Sequence, residues 1–155
     1  MSQGLRETIA DWLLALAAPL LLVSLFLTWS HQFTGAFAAR YRPAIQGVPR
    51  DPTAWQVYSI ADVFLAVVAV ALMALALWGG RARRLVVALL LAVALAFTVH
   101  AASVPPTNGA VVFDSSATPP GYVANGATSG AGETVALVAL ILGAAGVALS
   151  FTVAL

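Results

Sequence analysis

Four side chains in this chain have types and positions that would suit metal chemistry: His31, Asp62, His100 and Glu133. One stands at an end of each of four long apolar runs. Two imidazoles and two carboxylates are a ligand set for copper or zinc. Alternatively, His31 and His100 would ligate a haem from opposite sides. A simpler reading stands beside this one for every member. Ser59-x-x-Asp62 has the spacing of a capping box, Glu133 suits the positive end of a helix dipole, and histidines tolerate the depth of a membrane interface. No H-x-x-H or H-x-x-x-H spacing puts two imidazoles on one helix face. No cofactor is therefore expected.

The elements that must position these residues are the runs themselves, Trp12–Trp29, Ile60–Trp78, Leu85–Ala102 and Thr134–Leu155. A helix of about 18 residues is about 27 Å long, close to the hydrocarbon thickness of a bilayer. Mean hydropathy of +0.96, with 61% hydrophobic and 8% charged residues, lies outside the range of soluble domains. The expected fold is all-α, a single domain over residues 1–155: a four-helix transmembrane bundle with two long loops on one side. The first run follows Arg6 and precedes an Ala36-Phe37-Ala38 match to a signal cleavage site. It is longer than a usual signal core and the match lies well beyond its end, so it is read as a retained helix.

Cysteine is absent, which excludes disulfides, thiolate metal sites and cysteine nucleophiles. A net charge of +1 without any basic stretch argues against nucleic acid. No G-x-S-x-G or other nucleophile–base set occurs, so an enzyme is not expected.

Gly79-Gly80 followed by Arg81, Arg83 and Arg84 forms a short connection that makes the second and third helices an antiparallel hairpin. Under the positive-inside rule this cluster is cytoplasmic, which places both termini inside and both long loops outside. Arg40, Arg42 and Arg50 in the first loop narrow the difference to four arginines against three. Trp12, Trp29, Trp55 and Trp78 all fall where interfacial tryptophans belong. Thr8-x-x-Asp11 is a second capping-box spacing.

The second long loop carries Val111-Val112-Phe113 and Tyr122-Val123-Ala124 around a Pro-Pro-Gly turn, which predicts a small β-hairpin in an extracytoplasmic cap. Asn125–Gly132 reads as a flexible lead into the last helix. Gly143, Gly146 and Ser150 form a small-residue stripe for helix packing, within the bundle or between copies. Arg40-Tyr41-Arg42 is a candidate grip for phosphates, although solvated loop charge is the commoner outcome.

Leu25-Phe26-Leu27-Thr28-Trp29, followed after a loop by Trp55-Gln56-Val57-Tyr58-Ser59-Ile60-Ala61-Asp62-Val63, resembles a group of small actinobacterial four-helix membrane proteins. An all-arginine basic complement with no lysine fits the same high-GC setting. In that group a Phe-Leu-Pro-Trp-like end of helix 1 precedes a Trp-x-x-aromatic-x-x-x-Asp start of helix 2; here Thr28 replaces the proline. The resemblance covers about residues 12–75 and implies fold and plasma-membrane localisation, with no activity attached. The loop arrangement is also similar to that of claudins, whose cysteine pair and Gly-Leu-Trp motif this chain lacks.

The expectation is thus a non-catalytic integral protein of the bacterial plasma membrane, an accessory or structural subunit. Its partners would be the lipid bilayer and another membrane protein or a second copy. The alternatives are a small oligomeric transporter or channel subunit using Asp62, and a metal- or haem-binding protein using His31 and His100.

Overall fold

The computed structural model describes residues 3–107, 111–124 and 126–153. Four helices dominate: α1 (Gln3–Ser24), α4 (Ala61–Trp78), α5 (Arg81–Ser103) and α6 (Ala131–Val153). Each is long and apolar enough to cross a membrane. They form a ring in which α1 packs on α6 and α4, and α5 joins α4 to α6. Leu14, Leu21, Leu65, Leu72, Leu91 and Leu140 fill the centre, while Leu16, Val67, Leu89 and Ile141 point outward. An apolar exterior of this kind is what a bilayer-facing surface requires.

The helix ends differ from the sequence expectation, and each difference has a local cause. The first helix begins at Gln3, since Gln3, Leu5, Arg6 and Glu7 are good helix formers that extend it beyond the apolar run. Thr8 is therefore not a cap: its hydroxyl donates to the Gly4 carbonyl at 3.0 Å. The helix stops at Ser24, five residues before the run ends, and Leu25 to Leu27 form tight turns. At the α4–α5 connection only Gly79 and Gly80 are outside helix, with φ of 55° and 105°. Their positive φ turns the chain at little cost, whereas Arg81, Arg83 and Arg84 are helical. The last helix starts at Ala131, and residues 154–155 of the expected span lie outside the described residues.

Small residues set the helix separations. A Cβ on Gly146 would lie 2.9 Å from Leu14 Cγ and 3.1 Å from the Ala10 carbonyl oxygen, so α6 crosses α1 nearly backbone to backbone. Gly143 leaves room for Leu72 and Leu91 in the same way. Ser150 is buried, with its hydroxyl donating to the Val147 carbonyl.

At one end of the bundle the two long loops fold over each other. The first contains β1 (Ser30–His31), α2 (Gly35–Tyr41) and α3 (Ala54–Val57); the second contains β2 (Val111–Asp114), β3 (Gly121–Ala124) and β4 (Thr128–Ser129). The hairpin β2–β3 forms with Phe113 opposite Tyr122. Strand β1 pairs with β4, so the loops are stitched together directly. A second small core, Phe33, Phe37, Ile45 and Val112, fixes the hairpin over α2.

Candidate functional site at the capped end

The capped end is built around Trp29. The apolar stretch Leu25–Trp29 does not continue α1; it turns and inserts its indole into the bundle mouth. Trp29 is wholly buried, unlike Trp12, Trp55 and Trp78, which are exposed. An interfacial place thus describes three of the four tryptophans and not this one. Its Nε1–H donates to the Ser24 carbonyl at 2.7 Å, closing the frayed end of α1. The backbone at Trp29 is bonded on both sides, its N–H to the Pro52 carbonyl and its own carbonyl to the Gly130 N–H.

That crossing explains Gly130 and Gly132. A Cβ on Gly130 would meet the Thr28 carbonyl, and one on Gly132 would lie 2.7 Å from Trp29 Nε1 and 2.9 Å from the Ser24 carbonyl oxygen. The Gly132 N–H donates to the Thr28 carbonyl at 2.7 Å. The segment expected to be a flexible lead is, over its described residues, a strand and a tight backbone crossing; Asn125 lies outside the described residues. Glycine serves here for close approach rather than for freedom.

Glu133 follows immediately and is fully buried, with neither carboxyl oxygen hydrogen-bonded among the described residues. The helix dipole favours an acid in this first turn. The Gly130 N–H donates to the Trp29 carbonyl at 2.8 Å and also lies near the Glu133 carboxyl, while the Gly132 N–H donates to the Thr28 carbonyl. Tyr58 stands between Trp29 and Phe97, edge-on to both, at centroid distances of 5.5 and 5.2 Å. Burial pushes its phenol up to about 12, and the Glu133 carboxylate adds to that shift. The Glu133 carboxyl thus lies near the Tyr58 phenol and the Gly130 N–H, and among the described residues it forms no ion pair.

Asp62 is also buried, but it is satisfied. Its Oδ1 accepts the Val63 N–H at 2.7 Å, one of the free donors of the first turn of α4. The Ser59 capping box does not form, because the helix starts one residue later and Ile60, whose side chain has no acceptor, holds the cap position. A reverse cap occurs upstream, where Gln56 Oε1 accepts the Thr53 N–H at 3.0 Å.

The four residues singled out for metal chemistry are not brought together: among the described residues, no three His, Asp or Glu side chains form a ligand group. His31 is exposed on β1 with Nδ1 2.5 Å from Asp51 Oδ1. His100 is exposed on the last turns of α5. The antiparallel helices bring the ends to one level, but His31 and His100 face outward while Asp62 and Glu133 face inward.

The cap has its own polar network. Buried Asp114 accepts from Arg40 Nη2 at 2.8 Å and from the Tyr41 hydroxyl at 2.6 Å, and its Oδ1 takes both the N–H and the hydroxyl of Ser116. The Ser116 hydroxyl, then Tyr41 and the Ser116 N–H, hold the Asp114 carboxyl well below the usual carboxylate range. The Tyr41 phenol is raised in return by its bond to Asp114. Arg40-Tyr41 therefore grips the hairpin. Since the folded-state pKa is depressed, this stabilisation is complete above the ordinary aspartate range, about 4, and is lost as pH falls below it. Hydrogen exchange across residues 111–124, corrected for intrinsic rates, is expected to quicken below that pH. Asp114→Asn should show the same opening at neutral pH, and an unchanged hairpin in that variant would disprove the brace.

Gln32 completes the lock, donating from Nε2 to the Ser30 hydroxyl at 2.5 Å and to the Pro106 carbonyl at 2.7 Å. Sequence reasoning gave no structural role to Gln32 or Tyr58, and it took Gly130 and Gly132 as part of a flexible lead. Only Gly130-x-Gly132, directly before an acid at a helix start, left a signal. Compared with protein-family models, with curated proteins and with solved structures, the chain finds no match in any of the three.

Proposed function

We propose that this chain is a non-catalytic, multi-pass membrane protein that holds a partner membrane protein through its capped end. The observation that carries this reading is the hairpin β2–β3. Its inner face, Val112 and Asp114, is fixed to α2, while its outer face exposes Val111 (53%), Phe113 (56%) and Tyr122 (79%). Phe113 and Tyr122 stack edge-on at 5.3 Å. A braced two-loop cap that displays paired aromatic residues has the composition of an interface core. The buried polar groups of the cap are spent on locking the loops rather than on a reacting centre.

In the orientation favoured by Arg81, Arg83 and Arg84, the cap lies outside the plasma membrane and both termini inside. The resemblance to small actinobacterial four-helix membrane proteins agrees with that placement and adds no activity. Native mass spectrometry of the protein, extracted from its own membranes in mild detergent, tests the proposal. A heteromeric mass is expected, lost in the double variant Phe113→Ser, Tyr122→Ser. A monomer or homo-oligomer from native membranes would reject the accessory role.

One observation favours the second reading, a small oligomeric transporter or channel subunit. The unpartnered Glu133 carboxyl is better suited to it than Asp62, whose carboxylate is already bonded. This reading requires ion flux in vesicles that Glu133→Gln abolishes; flux unaffected by that change would remove it.

A further inference from the structure

At the bundle end opposite the cap, the seam between α4 and α5 is the least closely packed of the four. These helices are joined by only two residues and would be expected to pack tightly. Ala71 and Ala74 on α4 face Ala82 and Val86 on α5, and the short side chains leave a groove of about 280 Å³. Every side chain lining it is apolar except Arg83, which lies at its end.

The charge at that end is unbalanced. Among the described residues, Glu7 and Asp11 are the carboxylates near this end, lining a pocket with Arg84, and neither forms an ion pair with Arg81, Arg83 or Arg84; the two ion pairs among these residues are in the cap. Arg83 makes only a long 3.4 Å contact to the Gly79 carbonyl. The first turn of α5 has no acidic residue to offset the three guanidinium groups. An apolar groove whose one charged lining residue, Arg83, forms no ion pair among the described residues matches a molecule with an acyl chain and a negative headgroup.

We propose that the α4–α5 groove is a binding site for an anionic phospholipid. One acyl chain lies along Ala71, Ala74, Ala82 and Val86, and the headgroup phosphate is held by Arg83 with Arg81 beside it. Arginine suits this role because its planar fork offers paired donors to phosphate oxygens. The site is independent of the cap and of any partner bound there.

Native mass spectrometry after exchange into micelles with equal phosphatidylglycerol and phosphatidylcholine of the same chains tests it. Wild-type protein is expected to retain phosphatidylglycerol in preference by about fivefold or more, the effect of one arginine near a membrane surface. Arg83→Gln should bring the ratio close to one. Ala74→Leu keeps every charge and fills the groove, and should reduce retention of phosphatidylglycerol while the fold, followed by circular dichroism, stays intact. Equal retention of both lipids by the wild type would overturn the proposal, as would a preference that survives Ala74→Leu. Displacement of the lipid by millimolar inorganic phosphate would also overturn it, because the site would then select an anion rather than a lipid.

Discussion

Gly132→Ala is expected to unfold the capped end, with a loss of about 3–5 kcal/mol. The added methyl would lie 2.7 Å from Trp29 Nε1 and 2.9 Å from the Ser24 carbonyl oxygen. Neither neighbour is a flexible side-chain tip. One is backbone at the end of α1, and the other is an indole wedged against Tyr58. Relief requires moving the indole, which breaks its bond to Ser24 and leaves a buried N–H and C=O without partners. The effects of overpacking and of the lost bond therefore combine. Thermal unfolding in mild detergent, followed by tryptophan fluorescence, measures the outcome. Gly35→Ala is the control, because a Cβ there meets nothing within 4 Å. It should be neutral or slightly stabilising at a helix start. Equal stability of the two variants would mean that the crossing of residues 28–29 over α6 is not as described.

Glu133→Met should raise stability by about 1–3 kcal/mol. The native carboxyl is fully buried and neither oxygen is bonded, an arrangement that is costly in either protonation state. Methionine has similar length, no polar atoms and enough flexibility to fill the buried space near Tyr58. Glu133→Gln retains two polar atoms and should gain less. A stability loss in Glu133→Met would show that the carboxyl has a partner in the membrane-embedded protein. That result would shift weight to the transport reading, in which a costly buried acid is retained for function. A stabilised variant that still forms the heteromer proposed above would leave Glu133 without a functional role.

Buried polar groups and apolar surfaces thus give this protein two ends of different construction. At the capped end, Asp114, Gln32 and Trp29 use their hydrogen bonds to fix two loops that would otherwise be independent. At the other end, Arg81, Arg83 and Arg84 form no ion pair among the described residues, and short side chains open a groove beside Arg83.

Hydropathy alone determined the four long helices, because a helix that faces lipid must be apolar over the length of the bilayer whatever its neighbours are. The Gly79-Gly80 turn and the β2–β3 hairpin were legible for a similar reason: backbone reversal and strand pairing depend on a few adjacent residues. Sequence alone could not distinguish Trp29 from Trp78, since both end apolar runs and only the chain crossing decides which is buried. It likewise read Gly130 and Gly132 as flexibility, when their role is set by the backbone of residues 28–29, about a hundred residues away in the chain. For the same reason the candidate ligands are not gathered into one group among the described residues. Position along a helix fixes depth, but rotation about the helix axis fixes facing, and packing alone turned Asp62 and Glu133 inward and His100 outward. Only the tertiary structure decided that the Glu133 oxygens meet no hydrogen-bond geometry among the described residues, because whether a carboxyl is satisfied depends on atoms that other segments bring to it.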